Sequence, residues 1–298
     1  MMDLVTDAFS KAIYSTWLFS KPLRTLFDAG EGIVSVLRNR VFAIERVFIS
    51  HGHFDHIGGL PGLVRIRGQG RGDKDKPLTI YYPDGDRGCV LMQAFVSRLV
   101  PSPQFDLEWV PVKEDMRIEI SEKGKGKFAE TFPVDHMGRR RCLGYNVSET
   151  RKKLKDEFAS LDEKEIAERA RKGGRQAVDE IMESYEKKVL SYGGDGLAVE
   201  PEYVSETELL IHEATFLDDG ERGEEIHATV SEAIKTAVAS KAEQVLLMHF
   251  SSRYRQSDIF NAVREEADKA GIEVPLYLLL GGRISDVRRN GDEPQRKG

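Results

Sequence analysis

The stretch Val47-Phe48-Ile49-Ser50-His51-Gly52-His53-Phe54-Asp55-His56, followed by Gly58-Gly59-Leu60-Pro61-Gly62, decides how this chain folds. An apolar run of strand length ends at Ile49. Three of the chain's seven histidines and an aspartate then crowd into six positions. Imidazole nitrogen and carboxylate oxygen are donors that suit Zn²⁺. His51 and His53, two residues apart, project together, while Asp55 and His56 reach a neighbouring position. One metal is implied, and a second has donors within reach. Without a cation, so many titratable rings side by side would disfavour one another's charged forms.

Outward from this cluster, further donors follow predicted strands: His136 after Phe132–Val134, Asp195 after Val189–Tyr192, and His249 after Val245–Met248. In open α/β sheets, sites gather at the carboxyl ends of the strands. Loops converging on one edge would therefore supply ligands for two metals, with Asp195 suited to lie between them. Other short apolar runs read as strands at Ile13–Phe19, Thr25–Phe27, Leu78–Tyr82, Leu107–Val112, Leu209–Ile211 and Leu276–Leu280. Helical periodicity falls between them at Cys89–Leu99, Ser231–Ala239 and Asp258–Ala270, with Ser and Asp available as caps. This alternation predicts one α/β layered domain over residues 1–287. Residues 151–188 differ: they are highly charged and lack strand signals. Leu154, Phe158, Leu161, Ile166 and Ala170 have helical spacing, broken at Gly173-Gly174, so the segment reads as an inserted helical arm. The polar tail 288–298 is expected to be disordered.

The chain has 298 residues, 40% hydrophobic and 32% charged, and contains neither a long apolar tract nor a basic-then-apolar start. A cytoplasmic, membrane-free protein is expected. Its two cysteines, Cys89 and Cys142, form no Cys-x-x-Cys pair, so any metal must be held by His, Asp or Glu. A net charge of −6 speaks against nonspecific coating of nucleic acid but allows a local basic strip.

Taken together, His51-x-His53-x-Asp55-His56, Asp28 in Leu26-Phe27-Asp28-Ala29-Gly30, His136, Gly194-Asp195 and His249 resemble the metallo-β-lactamase superfamily signature. Three further segments narrow the resemblance to the tRNase Z (ribonuclease Z) family: Ile211-His212-Glu213-Ala214-Thr215-Phe216, His227-Ala228-Thr229 and His249-Phe250-Ser251-Ser252-Arg253-Tyr254. The resemblance implies an α/β (α+β) fold, an αββα sandwich. It also implies two Zn²⁺ per chain, with Mn²⁺ as a possible substitute. The first ion would take His51, His53 and His136, and the second Asp55, His56 and His249, with Asp195 bridging. Asp28 would stand behind the ligands and hold the metal loop in place. Asp55, Glu213 and His227 would be catalytic, Glu213 orienting His227 so that it protonates the departing ribose 3′-oxygen. His212 reads as structural. The implied substrate is precursor tRNA, cut at its 3′ trailer, and the implied assembly is a homodimer.

Candidate phosphate contacts are Arg139, Arg140 and Arg141 just after His136, Arg253 just past His249, and Arg151, Lys152, Lys153 and Lys155 at the start of the arm. A second basic stretch comprises Arg65, Arg67, Arg71, Lys74 and Lys76. The arm occupies the place of the family's tRNA-gripping exosite but lacks its Gly-Pro element, and the N-terminus lacks the Gly-Thr-Gly start. Both departures resemble a variant bacterial type. Two alternatives remain: a hydrolase of a small phosphodiester, thioester or lactone on the same fold, and a catalytically silent RNA- or protein-binding relative.

Overall fold

The computed structural model describes residues 4–69, 76–120, 126–136, 140–158, 160–223 and 226–288. Two sheets are stacked face to face. The first runs in sequence order through β1 (Asp7–Lys11), β2 (Ser15–Ser20), β3 (Thr25–Phe27), β4 (Arg46–Phe48), β5 (Leu78–Pro83) and β6 (Leu107–Val112). The second reverses sequence order across its width. It comprises β7 (Arg117–Glu119), β8 (Lys127–His136), β9 (Arg140–Leu154), β10 (Met182–Tyr192), β11 (Leu210–Glu213), β12 (Val245–Met248), β13 (Leu276–Leu280) and β14 (Arg283–Asp286). Helices α1 (Ile33–Leu37), α2 (Phe54–Ile57), α3 (Leu60–Gln69) and α4 (Arg87–Leu99) accompany the first sheet. Helix α5 (Glu163–Asp179) belongs to the arm, and α6 (Val230–Ala239) and α7 (Gln256–Ala270) accompany the second sheet. The result is the αββα sandwich expected from the sequence.

The continuous apolar runs are explained by burial on both strand faces. Leu26, Val47 and Ile49 pack in the outer core with Ile33, Leu63 and Val96, whereas Phe27 and Phe48 face the other sheet. Likewise Val245 and Leu247 pack with α6 and α7, while Leu246 and Met248 enter the intersheet layer. Aromatic rings fill that layer: Phe48 lies 4.8 Å from Tyr145, and Phe27 lies 5.3 Å from Tyr192, centroid to centroid. Both tyrosines are buried, so their hydroxyls need partners. Tyr145 donates to Ile49 O at 2.7 Å, and Tyr192 donates to Asp28 Oδ2 at 2.5 Å. The core thereby grips the strand ends from which the metal-loop residues emerge.

The segment expected to be a helical arm does carry a helix, α5, but on a two-stranded ribbon that the sequence did not show. β9 and β10 pair antiparallel from Tyr145 opposite Tyr192 out to Leu154 opposite Met182, with a bulge between Lys188 and Leu190. Helix α5 sits beyond the paired residues, opened by an Asp162–Glu165 capping box. Its backbone departs from helical geometry at Gly174, where φ is 65°, matching the expected break. The outer part of the ribbon, residues 151–154 and 182–188, buries no residue and so needs no alternation of apolar and polar side chains. Arg67, placed by the sequence in a phosphate-holding stretch, is buried in α3. Its guanidinium donates to Val41 O, Ile44 O and Lys76 O at 2.8–3.0 Å. Arg65 of the same helix is exposed, Arg71 and Lys74 lie outside the described residues, and so does the tail from residue 289.

Candidate metal centre

Parallel pairing of β3 with β4 and of β10 with β11 and β12 brings the carboxyl ends of these strands to one edge. There the structure brings together the seven residues the sequence proposed as ligands. Among the described residues, donor atoms of His51, His53, His136 and Asp195 lie within 4.8 Å of one another. Those of Asp55, His56 and His249 do the same. Asp195 Oδ2 stands between the groups, 3.9 Å from His51 Nε2 and 3.5 Å from His56 Nε2. A third group, Asp195, Glu213, His227 and His249, meets the same spacing.

The rings are aimed by partners behind them. His56 Nδ1 donates to Asp28 Oδ2 at 2.7 Å, and His136 Nδ1 to Ile226 O at 3.0 Å. His51 Nδ1 lies 3.0 Å from Ser50 Oγ, whose hydroxyl donates to Asp28 at 2.8 Å. His249 Nδ1 lies 2.9 Å from Thr215 Oγ1, whose hydroxyl donates to His249 O at 3.0 Å. In each of these rings one nitrogen is fixed to a protein oxygen and the other is left toward the cluster, as metal-binding histidines require. His56 Nε2 and His249 Nε2 are buried with no hydrogen-bond partner. Such orphaned lone pairs are unfavourable in a folded interior unless an ion satisfies them. His249 also adopts a left-handed backbone, φ 61°, a strained state for a non-glycine residue. The donor set, its aim and its unsatisfied atoms fit two divalent cations.

Electrostatics agree. Burial works against the charged carboxylate of Asp195, but the surrounding His249 and His227 hold it well below the ordinary range. Burial also opposes the charge on Asp55, yet the imidazoles of His249, 3.8 Å away, and His56 bring it down to about 2. Burial disfavours a charged His56, and Asp28 and Asp195 override it, raising that ring well above its usual value. Asp55 and Asp195 are thus held ionised although largely buried, the form in which a carboxylate holds a cation.

Beside it, Glu213 is buried and receives three hydrogen bonds, from Gly196 N at 3.1 Å, Thr215 N at 2.7 Å and His227 Nδ1 at 2.8 Å. His227 Nδ1 is also 3.0 Å from Asp195 Oδ1. Burial opposes its charge, but Asp195 and Glu213 outweigh burial and hold the imidazole up at about 11. His212, buried, accepts from Val199 N and donates to Glu213 O, which occupies both of its ring nitrogens. Gly194 precedes Asp195 with φ 66°, and a Cβ there would meet Ser50 Cβ at 2.8 Å, so only glycine lets the two loops approach.

The basic residues fare differently. Arg140 and Arg141 stand in register with His136 and Asp135 at the site edge, and Arg139 lies outside the described residues. Arg253 is exposed nearby, its guanidinium 5.3 Å from the Phe216 ring. On the arm, Arg151 pairs with Glu149 and Glu208, Lys152 with Asp179 and Lys153 with Glu183, and Lys155 donates to Glu180 O. The first three charges are therefore balanced at home, while Lys155 is tied only to a neutral carbonyl. Sequence reasoning missed Ser50, Thr215, Tyr192 and Ser10, the last accepting from His249 N at 3.0 Å. The available signal was adjacency: Ser50 precedes His51, and Thr215 follows Glu213-Ala214.

Residues 24–155 match the Beta-lactamase superfamily domain. A tRNase Z of Arabidopsis thaliana is 31% identical over 261 residues, covering 84% of this chain and 86% of that protein. A ribonuclease Z of Pyrococcus horikoshii is 30% identical over 256 residues, 77% of either chain. In three dimensions the metallo-β-lactamase fold protein YhfI of Bacillus subtilis superposes with a TM-score of 0.62 at 16% identity, over 94% of this chain and 98% of that one. The short form of human tRNase Z superposes with a TM-score of 0.55 at 22% identity, over 84% and 94% respectively. The structural likenesses establish the metallo-β-lactamase fold, and the sequence likenesses, spanning most of both partners, establish that this chain belongs to the ribonuclease Z family.

Proposed function

We propose that this chain is a metal-dependent endoribonuclease that removes the 3′ trailer from precursor tRNA. The observation that carries this reading is a cage for two cations set beside the Glu213–His227 pair, in a chain related to ribonucleases Z. His51, His53 and His136 would hold one ion and Asp55, His56 and His249 the other, with Asp195 shared. Zinc suits these donors best, and manganese is a possible substitute. Bound there, divalent ions neutralise charge on a phosphodiester and make water acidic enough to attack it near neutral pH.

The chain's own residues do the rest. Asp28 holds His56 directly and His51 through Ser50, so the ligands are aimed before substrate arrives. Asp55 combines ligation with orienting the attacking water. Glu213 fixes His227 at 2.8 Å, and the protonated ring delivers its proton to the departing ribose 3′-oxygen. The products are a 3′-hydroxyl on the tRNA and a 5′-phosphate on the trailer. Arg253, Arg139, Arg140 and Arg141 would bind phosphates near the cut. The arm from Arg151 to Lys188 would hold the tRNA body.

A homodimer accompanies this reading. Leu91, Phe95 and Leu99 line up at i, i+4 and i+8 on the outer face of α4 and are 71%, 55% and 38% exposed, a stripe a second copy would cover. The cytoplasm is the proposed location, in keeping with Cys89 and Cys142 being buried free thiols. No helix of the described residues is long and apolar enough to cross a membrane. The test is cleavage of a 3′-extended precursor tRNA by metal-loaded protein, with ends mapped and a chelated control. One metal-dependent cut near the acceptor end is expected. No cut by protein shown to carry two metals per chain would transfer the assignment to a hydrolase of small esters.

A further inference from the structure

We infer that the turn between β1 and β2 is a nucleotide-binding lip, in which Tyr14 stacks an unpaired base next to the cut while Lys11 meets its phosphate. This rests on the proposed action on RNA. β2 runs antiparallel to β3, with Leu18 opposite Phe27 and Ser20 opposite Thr25, so the turn lies at the edge where Asp28 and the histidine loop emerge. Both neighbouring loops hold it there. Ser10 Oγ accepts from His249 N at 3.0 Å, and Ala12 N donates to Phe250 O at 3.3 Å. On the other side, a Cβ built on Gly30 would meet both Ser15 Oγ, at 2.4 Å, and Asp55 O, at 2.3 Å. The turn is therefore wedged between the loops carrying Asp55 and His249.

Its exposed residues are ill suited to folding alone. Ile13 is 81% exposed and sits at φ 73°, a left-handed conformation that a β-branched side chain resists. Tyr14 is 61% exposed, and Lys11 Nζ stands 5.0 Å from its ring centroid. An aromatic face joined to a cation is the pairing by which proteins hold single-stranded nucleic acid: the ring stacks any base and the ammonium meets the backbone. Between this turn and the loop after β12 lies a groove of about 170 Å³, lined by Lys11, Ser251, Ser252 and Tyr254 and by the apolar Phe250 and Leu279. Its ammonium and hydroxyls match a phosphodiester strand, and Phe250 is next in the chain after His249.

The test is a coupled one. Precursor tRNA carrying either its normal bases or an abasic site at each nucleotide flanking the cut is given to the wild type, Tyr14→Ala, Tyr14→Phe and Lys11→Gln. One abasic position should raise the wild-type KM about tenfold with little change in kcat. Tyr14→Ala should show the same rise with the normal base and no further rise with the abasic one, while Tyr14→Phe behaves as wild type. Lys11→Gln should raise KM and flatten its salt dependence. Hydrolysis of bis(p-nitrophenyl) phosphate and the oligomeric state should be unchanged in all variants. An undiminished abasic penalty in Tyr14→Ala, or a change in its oligomeric state, would overturn the lip while leaving the nuclease assignment standing. Precursor tRNA left uncut by the metal-loaded wild type would overturn both.

Discussion

Replacing Asp28 with asparagine removes one charge and one acceptor from the point on which the metal loop hangs. The carboxylate is fully buried and receives four hydrogen bonds, from Ser50 N (2.7 Å), Ser50 Oγ (2.8 Å), His56 Nδ1 (2.7 Å) and Tyr192 OH (2.5 Å). Three of these end on Oδ2 and one on Oδ1, so the asparagine amide will orient with its carbonyl toward the three. Its NH₂ then confronts Ser50 N–H, leaving a buried donor unsatisfied, which costs about 1–3 kcal/mol. The remaining three bonds lose their charge assistance, roughly half the strength of each. The sum is ~3–7 kcal/mol, or a fall in Tm of roughly 6–14 °C for a chain of this size. Because His56 and, through Ser50, His51 lose their anchor, metal affinity should also fall by about 10–100-fold. Thermal unfolding with and without saturating zinc, together with competitive chelator titration, reads both quantities. A Tm shift under about 2 °C together with unchanged metal affinity would refute the claim that Asp28 organises the site.

Two further substitutions separate holding metal from moving a proton. Asp195→Ala should abolish turnover and lose metal, whereas His227→Ala should slow cleavage by about 10²–10⁴-fold with metal retained. Equal metal loss in the two, measured by elemental analysis, would contradict that division. Excising residues 153–183 and joining Lys152 to Ser184, its partner in register, by a two-residue turn should raise the KM for precursor tRNA at least about tenfold. Hydrolysis of a small phosphodiester should stay within about twofold, and parallel losses on both substrates would mean that the arm supports the fold.

The metal centre was legible because its residues are chemically unusual where they stand. Histidines are few, and four of them, His51, His53, His56 and His249, follow strands whose double burial leaves unbroken apolar runs. The aiming partners were not legible, since a serine, a threonine and a tyrosine carry no signature of which buried atom they face. Ser50, Thr215 and Tyr192 became meaningful only once parallel pairing had brought five strand ends to one edge. Arg67 shows the converse error: composition places it in a solvated basic stretch, whereas its guanidinium closes backbone carbonyls inside the core. In the arm the ribbon was missed because periodicity reports burial, and its outer residues, 151–154 and 182–188, are not buried. Its helix was readable from spacing and its break from Gly173-Gly174, but not the strands that carry it.

The length of β9 has a consequence of its own. From Arg140 at the metal edge to Leu154, the strand extends roughly 45 Å at the usual rise per residue, so whatever its far end touches is remote from the bond being cut. The ribbon behaves as a ruler graduated in steps of two residues. Removing a pair from each strand would draw the tip inward by about 7 Å while every side chain kept its face, whereas removing one would turn the whole outer surface over. Reach and chemistry can therefore drift apart over evolutionary time, with even-numbered changes in the ribbon refitting the chain to a longer or shorter substrate body without disturbing a single ligand.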